Sequence, residues 1–196
     1  MIVAVLGLGE AGGLIAADLV AAGATVRGFD PKTTPPPGVI AASSDADAVR
    51  GASVVLSVNS AADAVEALRA SLPACEPGTI WADLNTGTPR LKATLSEMAG
   101  TVEVVDVALM SPVPGRGLRT PMTMSGPAAE RLAEILAGFG ADVVVLDGPP
   151  GTAATRKLLR SVFYKGMAAA VVEALTAAKA AGLEELSLIH ISERAG

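Results

Sequence analysis

Two groups of residues in this chain have the types and spacing to do chemistry. The first is G-L-G-E-A-G, comprising Gly7, Leu8, Gly9, Glu10, Ala11 and Gly12, followed eighteen residues after its last glycine by Asp30. An apolar run from Met1 to Leu6 leads into the glycines, an Ala/Leu helical pattern to Ala22 leads out of them, and a second run, Thr25 to Phe29, delivers the acid. A glycine-rich turn between strand and helix, with an acid at the end of the next strand, is the arrangement that binds a dinucleotide. Gly7 permits the tight turn, Gly9 lets the backbone approach a pyrophosphate, and Gly12 lets the helix pack closely on the strand. The phosphates would then lie on free N–H groups at the positive end of the helix. Asp30 would accept hydrogen bonds from the adenosine ribose hydroxyls and repel a 2′-phosphate, so NAD is expected ahead of NADP. A ligand-free turn with Asp30 at the surface is the alternative. The second group is a polar stripe, Lys157, Ser161, Tyr164 and Lys165, at the three- and four-residue spacing that puts side chains on one helix face.

These residues need elements to hold them. After Asp30, P-K-T-T-P-P-P-G cannot continue a sheet or helix, because its prolines remove donors and fix φ. Val39 to Ala41 is expected as a short strand, Asp45 to Arg50 as a short helix, and Ser53 to Val58 as a buried parallel strand. Val58, Asn59 and Ser60 stand at the carboxyl end of that strand, where doubly wound sheets bind ligands. They could touch the cofactor, or Ser60 could simply cap the helix over residues 61–70. The alternation continues with a strand Thr79 to Leu84, a turn Asn85 to Thr88, a helix from Pro89 to Met98 and a strand Val102 to Leu109. A Pro/Gly-rich loop, M-S-P-V-P-G-R-G-L-R-T-P, is a functional-loop candidate. A strand Met122 to Ser125, a helix Pro127 to Phe139 and a strand Asp142 to Leu146 follow, ending at G-P-P-G. From Thr152 to Ala181 the pattern is helical, with Leu158, Val162, Met167, Val171, Ala174 and Leu175 on an apolar face that needs a partner, and Gly182 as its cap. The fold class is therefore α/β, a Rossmann-type doubly wound sheet followed by a long interdomain helix. The dinucleotide-binding domain is expected over residues 1–148 and the helix with the start of a further helical part over residues 149–196.

Composition limits the function. Twenty acids against fifteen Lys and Arg give a net charge of −5, which argues against a nucleic-acid partner. The single cysteine, Cys75, leaves no internal disulfide and no metal site, and points to a reducing, cytoplasmic setting. The N-terminal apolar run lacks a basic lead and is interrupted by Glu10, and the Ala-rich stretch near residue 170 carries Glu173 and Lys179, so neither a signal peptide nor a membrane span is expected.

With G-L-G-E-A-G, the turn D-L-N-T-G-T-P and the segment G-P-P-G-T-A-A-T-R-K-L-L-R-S in view, residues 1 to 182 resemble the β-hydroxyacid dehydrogenases. That family includes 6-phosphogluconate and 3-hydroxyisobutyrate dehydrogenases, with imine reductases as relatives. Arg160, Ser161, Lys165 and Gly166 match the R-S-x-x-x-K-G of a phosphogluconate-dehydrogenase-like branch. The resemblance implies that Lys157 is the catalytic lysine of the interdomain helix, that Ser161 stands where the family usually has Asn, and that Asp83, Leu84, Asn85 and Thr86 form the turn near the nicotinamide. It also implies a further helical domain and a dimer packed through it. Two departures stand out. The family's D-A-P-V-S-G-G, which holds the substrate carboxylate, reads Asp106, Val107, Ala108, Leu109, Met110, Ser111, Pro112 here, leaving Ser111 as a shifted candidate for that role. The resemblance also breaks off soon after Glu185, so the chain reads as truncated or its tail as foreign.

The implied reaction is hydride transfer between NAD and a small hydroxy acid or sugar acid. Lys157 would take the hydroxyl proton if burial and a nearby oxidised nicotinamide lower its pKa. Ser161 could orient substrate or bond its own helix carbonyl, and Lys165 could pair with a substrate anion or simply be solvated. Asp83 is expected to be structural, and His190 inert. A non-catalytic NAD-binding fragment is the alternative from another class. An imine-reductase-like enzyme is a third, opposed by Lys157 because those relatives generally carry an acid or an aromatic there.

Overall fold

The computed structural model describes residues 1–183, so His190 and the tail after Glu185 lie outside the described residues. Val3, Ala4, Val5 and Leu6 are consecutive apolar residues, and successive side chains of a strand point to opposite faces. Val3 and Val5 join one buried cluster, and Ala4 and Leu6 join the other. A strand buried on both faces needs a layer on each side, which is how parallel sheets are built. In strand β1 (Ile2–Leu6) and its successors β2 (Thr25–Phe29), β3 (Ile40–Ala41), β4 (Val54–Ser57), β5 (Ile80–Asp83) and β6 (Glu103–Leu109), all neighbours pair parallel. Helix α1 (Glu10–Ala21) and helix α5 (Ala129–Gly138) send Ile15, Leu19, Leu132 and Leu136 into the first cluster. Helices α2 (Asp45–Val49), α3 (Ala64–Ser71) and α4 (Pro89–Met98) send Val49, Leu68 and Leu95 into the second, around the fully buried Trp81 of β5.

The sheet holds eight strands in the order β3-β2-β1-β4-β5-β6-β7-β8, so the chain reverses direction across the sheet between β1 and β4. The regular alternation breaks once. Strand β7 (Met122–Ser125) runs antiparallel to β6, and β8 (Val143–Val145) pairs parallel with β7. The cause is the connection: residues 110–121 form a loop with one 3-10 turn, too little structure to carry the chain back to the far end of the sheet. The loop closes on itself, the Met110 N–H donating to the Pro121 carbonyl at 2.8 Å, and is pinned to α1 where Asp18 accepts from the Leu118 N–H at 2.8 Å.

Two compact units divide the chain, Met1–Lys157 and the part from Leu158 on. Helix α6 (Thr152–Ala180) begins in the first. Its opening turn belongs there because side chains of the sheet take its free N–H groups. Asp106 accepts from Gly151 at 3.0 Å and from Ala154 at 2.8 Å, and Ser125 accepts from Ala153 at 3.0 Å. In the second unit α6 is solvent-facing and ends with the Leu183 N–H on the Ala178 carbonyl at 2.9 Å.

The turn after β1 is fixed by sterics and by one acid. Gly7 has φ of +88°, and a Cβ there would sit 2.5 Å from the Val58 carbonyl oxygen. A Cβ on Gly12 would sit 1.9 Å from the Gly7 oxygen, so helix and turn touch backbone to backbone. Asp30 clamps this turn: one carboxylate oxygen accepts from the Leu8 N–H at 2.8 Å, the other from Lys32 at 2.8 Å and Thr33 at 2.9 Å. Burial works against ionisation, but the donors of Lys32, Leu8 and Thr33 outweigh it and hold the carboxyl below its ordinary range. A carboxyl with a lowered folded pKa contributes stability above its unfolded pKa of about 3.9, and that contribution disappears as pH falls through the folded value. Urea unfolding followed from neutral pH into this acid window should therefore give a steeper loss of stability for the unmodified chain than for Asp30→Asn. Identical pH slopes would mean that the acid does not clamp the turn.

Candidate active site

The reversal of strand order between β1 and β4 leaves a crevice at the carboxyl ends of those strands, which is where open α/β sheets bind ligands. A cavity of about 470 Å³ occupies it, lined by Gly7 and Gly9 after β1, Phe29, Asp30 and Lys32 after β2, and Val58, Asn59 and Ser60 after β4. That volume falls in the small-molecule range. Gly9 is the extended residue at the N-terminus of α1, and a Cβ there would meet nothing within 4 Å. The position is thus open to a ligand, whereas Gly7 and Gly12 are closed against protein. The first N–H groups of α1 have no intrahelical carbonyl, and the helix dipole adds partial positive charge at the same point. Open backbone, helix N-terminus and cavity together fit a dinucleotide pyrophosphate.

Six of the residues expected to hold the cofactor meet in this cavity: Gly7, Gly9, Asp30, Val58, Asn59 and Ser60. The rest of the glycine turn serves it indirectly. Leu8 is buried, with its N–H on Asp30; Glu10 is exposed in the first turn of α1; Ala11 packs against the core, and Gly12 against Gly7. Asn59 donates to the Ser57 hydroxyl at 3.3 Å. Ser60 both lines the cavity and organises the turn before α3: its hydroxyl donates to Asp63 at 2.6 Å and its carbonyl accepts from Ala64 at 3.1 Å. The cavity wall also carries Asp45, Asp63 and Glu66, with Lys32 as the one basic residue among its lining. Burial pushes the Asp45 carboxyl up, with a smaller push from the nearby Glu66.

A second cluster sits where the end of β5 meets the middle of β6. Asp83 and Asp106 are register partners on these neighbouring strands, and both are fully buried. Lys92 of α4, 1% exposed, lies between them, its Nζ 2.6 Å from Asp83 and 3.2 Å from Asp106. The same ammonium donates to the carbonyls of Asp83 and Asn85, both at 2.8 Å. The Asn85 side chain is used internally, donating to Ser57 at 3.0 Å and Asp83 at 2.5 Å, while Thr86 is exposed. Lys157, half-buried on the first part of α6, donates from Nζ to the Thr86 hydroxyl at 3.0 Å. Burial, and then the Lys92 charge, hold its amine below the ordinary lysine value, partly opposed by Asp106.

The structure thus joins Lys157 to the Asn85–Thr86 turn, but not to every residue expected beside it. Ser111 is half-buried, its hydroxyl 3.5 Å from the Pro112 carbonyl. Ser161 is half-buried and Lys165 exposed, both in the second unit. Sequence reasoning missed Lys92 and the work of Asp106. The signal lay in one acid at the end of the apolar run of β5 and one in the middle of that of β6, a pair that can be buried together only around a cation. Among the described residues no group of three or more His, Cys, Asp or Glu is placed to hold a metal ion, and no helix is long and apolar enough to cross a membrane.

Known proteins agree with this geometry. An uncharacterised 28.5 kDa protein in the 7S RNA 5′ region of Methanothermus fervidus is 32% identical over 118 residues, which is 60% of this chain and 45% of that protein. The chain therefore matches less than half the length of that relative. A solved structure of a conserved protein of unknown function, described as similar to 3-hydroxyacid dehydrogenases, superposes with a TM-score of 0.86 at 29% identity, covering 98% of this chain and 76% of the other. The 3-hydroxyisobutyrate dehydrogenase of Mycobacterium tuberculosis, solved with L-serine, superposes at 0.84 with 24% identity, covering 97% and 69%. An imine reductase from Myxococcus stipitatus in complex with NAD+ superposes at 0.83 with 18% identity, covering 99% and 72%, and these last two share the fold. Residues 2–148 match the family described as the NAD binding domain of 6-phosphogluconate dehydrogenase, and the chain belongs to that family.

Proposed function

We propose that the protein is an NAD-dependent oxidoreductase that transfers a hydride between NAD and a small β-hydroxy acid or related sugar acid, with Lys157 as general acid and base. The observation that carries this reading is Lys157 Nζ, 3.0 Å from Thr86 at the carboxyl end of β5, the strand next to the one that delivers Val58, Asn59 and Ser60 to the dinucleotide crevice. A bound nicotinamide dinucleotide supplies the hydride acceptor. As the alcohol's C–H bond breaks and its hydrogen leaves as hydride, the O–H proton passes to the Lys157 amine and the carbonyl forms; in reduction Lys157 returns that proton. The amine must be neutral to accept it, and burial together with the Lys92 charge favours the neutral form. Ser111, on the loop after β6, is the candidate for the substrate acid group.

NAD is favoured over NADP by charge. A 2′-phosphate near Asp30 would meet a wall that also carries Asp45, Asp63 and Glu66, against one lysine, Lys32. Cys75 fits a cytoplasmic enzyme without a reactive thiol, since burial pushes it up to about 11. The partner is a second copy of the chain, supported by the exposed Val162, Met167 and Val171 of α6, each worth about 1.5–3 kcal/mol when fully buried. A second reading, NAD binding without turnover, draws on the same exposure, because α6 beyond Lys157 stands open to water.

Calorimetric titration should give tighter binding of NAD than of NADP, with Asp30→Ala narrowing the gap; equal or tighter binding of NADP to the unmodified chain would remove the charge argument. Against a panel of small β-hydroxy acids with NAD, the rate should rise with pH to a plateau governed by a group titrating below the ordinary lysine value. Lys157→Ala should cost at least about 10²-fold in rate while leaving NAD affinity unchanged. Turnover retained in that variant rejects the assignment, and NAD binding with no turnover in the unmodified chain supports the second reading. Sedimentation at micromolar concentration should give a dimer that Val171→Glu weakens; a stable monomer argues against the association.

A further inference from the structure

We propose that Lys92 is the positioning residue of the proton-transfer site, its buried ammonium locking the Asn85–Thr86 turn and the start of α6 into the one arrangement that seats Lys157 on Thr86. The inference rests on the reading of Lys157 as the base. The geometry is a chain of contacts with no slack. Lys92 Nζ holds the Asn85 carbonyl at 2.8 Å, and Lys157 Nζ holds the hydroxyl of the next residue, Thr86, at 3.0 Å, so the two lysines grip consecutive residues of one turn. On its other side Lys92 faces Asp106 Oδ1 at 3.2 Å, while Oδ2 of the same carboxylate takes the N–H groups of Gly151 and Ala154, the residues that launch the helix bearing Lys157. One ammonium therefore fixes both the contact residue and the base.

Structural duty alone would not need a cation so near the base. Asp83, Lys92 and Asp106 could be replaced together by apolar side chains, and such exchanges of a buried ionic set are often neutral or stabilising. What a buried cation adds is a field at Lys157. The charged groups that bear on Lys157 are Lys92 from α4 and Asp106 from β6, with Asp83 of β5 paired to Lys92; its contact on the turn, Thr86, is neutral, and Arg156 beside it on α6 is exposed. Lys92 disfavours the Lys157 ammonium and Asp106 favours it. The two neighbours therefore push the same proton in opposite directions, a signature that loss of packing does not produce.

The test is a direct titration of Lys157 by NMR on this chain with lysine labelled at Cε and Nζ, the resonance assigned with Lys157→Arg. Lys92→Met should move the Lys157 titration to higher pH, Asp106→Asn should move it to lower pH, and Lys92→Arg should return it towards that of the unmodified chain. If Lys92→Met does not fold, Lys92→Met combined with Asp83→Asn removes the stranded acid and should still move the titration upward. An unmoved titration, or a shift in the same direction for the Lys92 and Asp106 variants, overturns the proposal. The readout needs no turnover, so it stays separate from the Lys157 assignment: retained turnover in Lys157→Ala would reject the base while leaving the coupling measurable.

Discussion

Burying one ammonium between two carboxylates is the constraint on which the Lys157 side of this fold depends. Asp83 and Asp106 face each other across β5 and β6, where two like charges out of water would repel strongly. Burial raises the Asp83 carboxyl and the neighbouring Asp106 raises it further, while Lys92 pulls it down, so the three groups are stable only as a set. Removing one member of such a set costs about 3–5 kcal/mol, because it strands an uncompensated charge. The ammonium also donates to the carbonyls of Asp83 and Asn85, and the second oxygen of Asp106 accepts from the Gly151 and Ala154 N–H groups at the start of α6. Strands β5 and β6, helix α4 and the start of the helix that carries Lys157 are thereby joined at one point that cannot shift without breaking several charged hydrogen bonds.

The cofactor half depends on the opposite device, the removal of side chains. Gly7 and Gly12 let the β1 turn and α1 meet backbone to backbone, and Gly9 leaves the helix N-terminus open. A turn without side chains has nothing of its own to hold it, which explains why the Asp30 carboxylate spends three hydrogen bonds on backbone N–H groups. The acid read from the sequence as a ligand contact is thus first a structural clamp, and it shares the cavity wall with Asp45, Asp63 and Glu66.

Those particulars explain what the sequence made legible. The glycine turn, the acid after β2 and the strand–helix alternation are local patterns, and each was readable because one residue type or one period suffices to specify it. The polarity of β7 was not, since strand direction depends on whether residues 110–121 can cross the sheet rather than on the composition of Met122–Ser125. Lys92 was invisible for a related reason. In P-R-L-K it looks like one more solvated helix lysine beside the exposed Arg90, and only the register that brings Asp83 opposite Asp106 reveals that it is 1% exposed. Ser60 was readable as either cap or ligand contact, and the structure gives it the turn before α3 and a place on the cavity wall together.

Helix α6 marks the limit of reading by period. Its sequence suggests one apolar face through Leu158, Val162, Met167 and Val171, but Leu159, Phe163, Tyr164 and Val172 are exposed as well, at 67%, 64%, 51% and 63%. At about 100° per residue these positions fall on all sides of the helix, among the charged Arg160, Lys165, Glu173 and Lys179, so they do not form one face. Its 29 residues exceed the ~12–15 below which an isolated helix is marginal, so the backbone can persist on its own hydrogen bonds. The surface cannot rest in water on the same terms. A single flat contact, such as a two-fold pairing of one helix face, would cover Met167, Val171 and Tyr164 while leaving Leu159 and Val172 on the other side exposed. Full burial of α6 therefore requires contacts from at least two directions. The opening turn, by contrast, is already satisfied by Asp106 and Ser125, and so the placement of Lys157 draws on the sheet rather than on the helix beyond it.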